Sequence, residues 1–205
     1  MPYVIGPRRV RKLAIALFGA ALLAGVVPVA ADAACASSAT SNAFAEYNDN
    51  ASYALVQGGN FESGAPGWSL SKAGVVEEEA SPSGNALVIQ PGGTAVSPAF
   101  CVSSEYPTFR FLDHKISGGG TLNVSLRWTD AFGFSHNTSV ASIGSAASWS
   151  ISPILKLATD LPLWMPGSTL SVKLVFESAL GSNFERQRGA GEWAIDGVYV
   201  DPHSR

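Results

Sequence analysis

The polar and apolar positions of this chain alternate most strictly in two segments, 122–128 and 170–176. Every second residue is apolar there: Leu122, Val124, Leu126 and Trp128 in the first segment, and Leu170, Val172, Leu174 and Phe176 in the second. Successive side chains of a strand point to opposite faces, so this period of two places one face in a core and the other in water. Both segments are predicted to be half-buried strands.

The rest of the chain from residue 54 consists of short apolar runs between glycine, proline, serine and asparagine. The run 86–89 is predicted to end as a strand at Pro91-Gly92-Gly93, and the run 108–112 is rich in β-branched and aromatic residues. No segment after residue 33 has a helical period with caps. This punctuation predicts an all-β fold, an antiparallel β-sandwich in one domain over residues 54–205.

Residues 1–33 have the three parts of an export signal. A basic region, 8–12, precedes the apolar run 13–29, and Ala31-Asp32-Ala33 supplies small residues for cleavage. The alternative is a retained membrane anchor, but a run of this length is at the short limit for crossing a bilayer. We therefore predict a cleaved signal peptide, a secreted protein without stable membrane insertion, and an extended leader over 34–53 that packs on the domain.

Signal cleavage makes the chain more acidic. The 13 lysines and arginines fall to 9 and the 16 aspartates and glutamates to 15, so the net charge of −3 becomes −6. Such a surface repels phosphate backbones, and we predict no nucleic-acid partner. Cys35 and Cys101 are predicted to form one disulfide, as is usual in exported proteins. A reactive thiol is the alternative, but no histidine is close in sequence to either cysteine.

Recognisable catalytic motifs are absent from the sequence. It has no Gly-x-Ser-x-Gly, His-Glu-x-x-His or Cys-x-x-Cys. The three histidines, His114, His136 and His203, belong to no metal-binding motif. We predict that the protein is not an enzyme. The alternative is a hydrolase with a dispersed site that depends on His114 or His136.

Two segments at opposite ends of the predicted domain carry a family resemblance. The first contains Gly58-Gly59-Asn60-Phe61-Glu62 and then Trp68, and the second is Trp193-Ala194-Ile195-Asp196-Gly197-Val198. They resemble the opening and closing strands of galactose-binding-like jelly rolls, the architecture of many carbohydrate-binding modules. Gly197 stands where the family has a second acid. The chain is also similar to small secreted bacterial proteins of unassigned function that share these segments and a cysteine-containing leader.

The resemblance implies a structural calcium ion. In carbohydrate-binding relatives the opening glutamate and a closing aspartate often ligate the ion together with backbone carbonyls. Carried over by position, the ligands are Glu62 and Asp196, with a loop carbonyl from Asn60. Calcium takes roughly six to eight oxygen ligands, so loop carbonyls would complete the site. The alternative is a carboxylate pair that caps turns through hydrogen bonds without metal.

The resemblance also implies a sugar site, on a sheet face or in loops at the sandwich edge. Such sites place aromatic rings against sugar rings, with polar side chains around them. The candidates here are Trp128 with Arg127, Trp149, Trp164 and His136. The region 132–137 is a second candidate rim. A core position is the alternative for Trp128, which continues an apolar face, and Trp193 is predicted to be core.

These observations predict a secreted, non-catalytic binding module for an extracellular or cell-envelope carbohydrate. The alternative is a secreted structural or interaction protein that uses the same scaffold without binding sugar. The alternative predicts buried tryptophans and no aromatic groove on either sheet face.

Overall fold

The computed structural model describes residues 39–78, 81–103, 108–130, 132–144, 147–157, 169–179 and 189–201. Twelve antiparallel strands and a single 3-10 turn, Ala45–Tyr47, make up the regular structure of these stretches. The predicted signal peptide lies outside them. No helix in the described part is long and apolar enough to cross a membrane.

The strands form two layers that share one long hairpin. Layer A contains β1 (Thr40–Ser41), β2 (Tyr53–Leu55), β6 (Thr108–Ser117), β9 (Ser150–Ile151), β10 (Leu155–Lys156) and β12 (Glu192–Asp201). Layer B contains β5 (Phe100–Ser103), β7 (Thr121–Thr129), β8 (Ser135–Ile143) and β11 (Thr169–Ala179). The shared hairpin is β3 (Ser69–Glu77) and β4 (Asn85–Val96). β12 is central in layer A, and β11 is central in layer B.

Strand β4 passes from one layer to the other. Residues 87–89 pair with β12, and residues 94–96 pair with β11. The prediction that this strand ends at Pro91-Gly92-Gly93 was wrong, because the glycines bend the strand without ending it. A side chain at Gly93 would lie 2.4 Å from the carbonyl oxygen of Lys72, so only glycine lets the two strands of the hairpin stay paired here.

The core lies between the two layers and confirms the predicted alternation. Six of the eight alternating apolar residues of β7 and β11 are buried there, Trp128 and Leu170 are partly buried against them, and Trp193 of β12 is fully buried as predicted. Phe111 of β6 and Phe176 of β11 pack edge to face with their centroids 5.1 Å apart, although their strands are not paired. This contact between unpaired strands shows that the layers face each other. The predicted antiparallel jelly-roll sandwich is confirmed.

Residues 39–52 lie against the outer face of layer A. Phe44 packs its ring on Tyr53 and Tyr199, with centroids 4.9 and 5.4 Å away, and is almost fully buried. Leu112 of β6 belongs to the same cluster, and Trp149 packs against it. The outer face of layer A is therefore covered by the chain's own segments.

Arg110 of β6 holds that covering in place. Its Nη1 lies 2.6 Å from Asp49 Oδ2, and its Nε and Nη2 donate to the carbonyl oxygen of Ser152 at 3.0 and 2.7 Å. The hydroxyl of Tyr53 donates to the same aspartate. One guanidinium thus joins the segment before β2 to the segment after β9.

Candidate functional site

The opening and closing segments meet at a bulge in β12. Gly197 has a φ of +55°, and the register of β12 on β6 shifts between Asp196 and Tyr199. The displaced Val198 donates its N–H to Gly59 O at 2.9 Å and accepts from Val56 N at 3.0 Å. The predicted juxtaposition of the two segments is confirmed, and glycine suits position 197 because its backbone is left-handed there.

Glu62 and Asp196 are both tied to the turn between β3 and β4. The backbone N–H of Asn85 donates to Glu62 Oε1 at 3.0 Å. The hydroxyls of Ser81 and Ser83 donate to Asp196 Oδ2 at 2.8 and 2.6 Å. We call Glu62, Asp196, Ser81, Ser83 and Asn85 the turn cluster. The turn therefore links the two predicted metal ligands.

The two carboxyls of the turn cluster have shifted pKa values in opposite directions. The Asn85 N–H lowers the pKa of Glu62, which is exposed. Burial raises the pKa of Asp196 against the hydrogen bonds from Ser83, Ser81 and Gly197, and the negative charge of Glu62 raises it further. The two carboxyls are therefore close enough for the charge of Glu62 to oppose the ionisation of Asp196.

The turn cluster contains oxygen types that calcium binds, since the carboxylates of Glu62 and Asp196 and the backbone carbonyl of Asn85 all belong to its hydrogen bonds. Asn60 lies in the turn just before Phe61, next to Gly59, which bonds to β12. Among the described residues there is no group of three or more His, Cys, Asp or Glu that could hold a metal ion. A cation here would thus be bound by two carboxylates and neutral oxygens.

The turn between β7 and β8 presents two exposed phenylalanines. Phe132 is 86% exposed and Phe134 is 67% exposed. Asp130 Oδ1 accepts from the backbone N–H of both at 2.9 Å, and Gly133 N donates to Asp130 O at 3.0 Å. We call Phe132 and Phe134 the aromatic tip. Its backbone is fixed by hydrogen bonds, although its rings are in water.

Behind the aromatic tip, Trp128 and His136 are stacked. Their ring centroids are 4.1 Å apart and the planes differ by 18°. His136 Nε2 lies 2.8 Å from Asp130 Oδ2, and this hydrogen bond is the main cause of the lowered pKa of Asp130. Trp128 also packs on the core. The pair therefore connects the tip to the interior of the sandwich.

A pocket of about 350 Å³ opens beside this stack on layer B. Its wall consists of Ala99, Arg127, Trp128, Thr129, Ser135, Ser171 and Lys173. We call it the layer B pocket. Arg127 of β7 and Lys173 of β11 are direct cross-strand partners, and both are exposed. The pocket therefore combines two cations and three hydroxyls, with Trp128 also in its wall.

The other predicted site residues are not at this pocket. Trp149 lies across the sandwich, half-buried on layer A, with its ring 5.6 Å from His114. Trp164 lies outside the described residues. Cys101 of β5 is not a free thiol, and its predicted partner Cys35 lies outside the described residues. The structure thus brings together Trp128, Arg127 and His136 of the predicted set.

The sequence reasoning missed Lys173, Ser171 and the ordering role of Asp130. Asp130 and Gly133 have the spacing of a type I turn, which places Asp first and Gly fourth, so the tip had a local signal. Lys173 and Ser171 are separated from Arg127 by more than forty positions of chain, and the register of β11 on β7 alone makes them neighbours.

No family model and no curated protein sequence matches the chain. Solved structures similar to it include three carbohydrate-binding modules. A family 61 module in complex with β-1,4-galactotriose is 16% identical, with 71% of this chain and 96% of that chain covered and a TM-score of 0.39. The family 22 xylan-binding domain of Paenibacillus barcinonensis Xyn10C is 15% identical, with 69% and 90% covered and a TM-score of 0.47. The family 11 module of the Clostridium thermocellum cellulase Lic26A-Cel5E is 11% identical, with 73% and 94% covered and a TM-score of 0.42. At these scores the likenesses are remote.

Proposed function

We propose that this chain is a secreted, non-catalytic module that binds an extracellular or cell-envelope carbohydrate beside the aromatic tip. The observation that supports it is the exposure of Phe132 and Phe134 on a hydrogen-bonded turn next to the layer B pocket. Exposed aromatic rings pack well on the apolar faces of sugar rings. A concave pocket with a few polar groups fixes the orientation of a small ligand.

The surroundings of His136 and His114 support a binding function without catalysis. His136 stacks on Trp128, and its Nε2 is engaged by Asp130. In the described part of the chain, no hydroxyl or thiol is hydrogen-bonded to the ring of either His136 or His114, as a nucleophile would be to its base. We assign His136 a structural role in holding the tip.

The test replaces the rings of the aromatic tip. We expect the double variant Phe132→Ala and Phe134→Ala to weaken retention on polysaccharide affinity gels about tenfold or more, since each ring contributes about 1 kcal/mol or more of contact. Ile154→Ala is the matched control, because Ile154 is an exposed apolar residue elsewhere. A glycan array on which the unaltered protein binds nothing would refute the proposal.

We also propose that the turn cluster holds a structural calcium ion. Glu62 and Asp196 would provide the charge, and the ion would relieve the repulsion between their carboxyls. We expect calcium to raise the Tm relative to a chelator, and Glu62→Gln to remove most of that rise. Glu77→Gln, at an exposed carboxyl of β3, is the control. Equal Tm values with and without calcium would leave the carboxylates as hydrogen-bonded turn caps.

Export and the disulfide are part of the same proposal. We expect the exported chain to begin at Ala34 and to lack the mass of two hydrogens until it is reduced, because Cys35 and Cys101 are joined. Intact-mass spectrometry before and after reduction measures both. A free thiol on Cys35 in the exported chain would contradict the pairing.

A protein-binding role is the second candidate. It is favoured by the burial of Trp68 and Trp193, which leaves the aromatic tip as an exposed apolar contact of the kind found at interfaces. In that case the double tip variant would lose a protein partner, while glycan arrays would be blank for both proteins.

A further inference from the structure

Two cations lie side by side in the wall of the layer B pocket. Arg127 and Lys173 are direct partners in the register of β7 and β11, so their Cβ atoms are about 5 Å apart. Like charges in this position destabilise a sheet. The described structure therefore contains an unfavourable pair in a pocket whose wall includes Thr129 and Ser135, which flank the turn of the aromatic tip.

The chain provides no counter-charge for this pair in its described part. The ion pairs found there join Arg110 to Asp49 and His136 to Asp130. Asp130 is the acid nearest to Arg127 in sequence, and its two oxygens accept from the turn N–H groups and from His136. Arg127 and Lys173 therefore present their donors to the pocket and to water.

Because the chain is negatively charged overall, a local pair of cations indicates where an anion could bind. The chain has a net charge of −3, so its surface as a whole does not attract anions. An anion would be drawn to this pocket by the two side chains, and a guanidinium beside an ammonium matches an oxyanion with two or more acceptor atoms. Ser171, Thr129 and Ser135 add hydroxyls around the same space.

We propose that the layer B pocket binds the anionic group of an acidic sugar, with Arg127 and Lys173 as its ligands. The proposal rests on the proposed function and specifies its substrate class as polysaccharides that carry a carboxylate or a sulfate ester. The aromatic tip contacts the ring of a neighbouring sugar, while the two cations pair with the oxyanion. The uncompensated repulsion between the cations is relieved when the anion binds.

The experiment compares matched probes that differ in charge alone. Oligogalacturonate and its fully methyl-esterified form share ring and linkage, and a sulfated glycan is compared with its desulfated form in the same way. Titration calorimetry is expected to give at least tenfold tighter binding of a charged form than of its uncharged partner. Carboxylate and sulfate are distinguished by which pair shows the difference.

Variants assign the preference to the two cations. Arg127→Gln and Lys173→Gln are each expected to lower the affinity for the charged form about tenfold and that for the uncharged form by much less, so that the ratio of the two affinities falls. Lys156→Gln, at an exposed lysine of β10 in the other layer, is the control and is expected to bind as the unaltered protein does. An equal loss in the Lys156 variant would overturn the assignment, because it would indicate non-specific attraction.

The outcomes separate this inference from the function on which it rests. If uncharged glycans bind and charge adds nothing in either pair, the inference is wrong and the carbohydrate module remains. If no glycan of any kind binds, the proposed function is wrong and the inference is lost with it. A charge preference that persists in both Gln variants would place the anion elsewhere on the protein.

Discussion

Arg110 and Arg127 both project from the outer face of a sheet layer, but the first is paired with an acid and the second stands beside another cation. Arg110 projects from the outer face of layer A, where it pairs with Asp49, donates to Ser152 and is 14% exposed. Arg127 projects from the outer face of layer B, where it is exposed and stands beside Lys173. The same residue type in the same strand pattern therefore holds the fold together on one layer and remains available to a ligand on the other.

The difference arises from what covers each layer. On layer A, residues 39–52 and the segment after β9 bring an acid and a carbonyl to the guanidinium. The described part of layer B carries no such covering over Arg127. An arginine that a chain leaves without a partner beside a second cation is more informative about function than one that is neutralised.

Replacing each arginine by alanine is expected to give the largest difference in the free energy of unfolding between the two layers. We expect Arg110→Ala to lower the free energy of unfolding by about 3–5 kcal/mol, because it removes the cation paired with the largely buried carboxylate of Asp49. Arg127→Ala is expected to change it by about 0.5 kcal/mol or less. Urea unfolding measures both, and equal losses would show that the two positions do not differ as described.

A second charged residue of β6, on the inner face of layer A, extends the comparison. Asp113 pairs in register with Ile195 on the inner face, is 2% exposed, and burial raises its pKa from 3.8 to about 7. The folded state therefore holds its proton more tightly than the unfolded state. The resulting stability is full below the unfolded pKa and is lost as the pH rises through about 7.

We expect Asp113→Asn to raise the free energy of unfolding at about pH 8 by up to about 4 kcal/mol, the full worth of this pKa shift. At about pH 4 the variant and the unaltered protein should be similar in stability. Thermal unfolding across this range gives the two curves. Parallel curves would mean that the carboxyl ionises in the folded state as easily as in water.

The substitution Lys173→Glu has the smallest expected effect on stability, and it tests the repulsion between Lys173 and Arg127 directly. It replaces two like charges on layer B by an opposite pair with Arg127, so we expect the stability to rise by about 0.5 kcal/mol. The same change should abolish the preference for charged glycans. A variant that is more stable and binds acidic sugars less would identify the repulsion as functional, whereas a loss of stability would show that Lys173 has a structural partner.

The strands could be predicted because their signal is local. Leu122, Val124 and Leu126 alternate with polar residues within a few positions, and burial follows from that period. The juxtaposition of the opening and closing segments followed from the resemblance of two short motifs, and the bonds of Val198 to Val56 and Gly59 confirm it. The continuation of β4 through Gly93 could not be predicted, because glycine is found both in turns and in bends of a strand.

Only some residues of the candidate site could be predicted from the sequence. Arg127, Trp128 and His136 were identified from their residue types, and Asp130 carried a turn signal. Lys173 had no signal, because its importance depends on standing opposite Arg127, and a register between strands that are distant in sequence is a property of the folded chain.

By itself, then, the sequence determined the layers, since the period of apolar residues decides which face of each strand is buried. Only the tertiary structure decided which face would be covered and which cations would be neutralised. Those outcomes depend on contacts between segments far apart in the chain, such as Asp49 with Arg110 and β7 with β11. The physical reason is that the burial of a side chain follows from the local alternation of polar and apolar residues. The pairing of two charges depends instead on the register between whole strands.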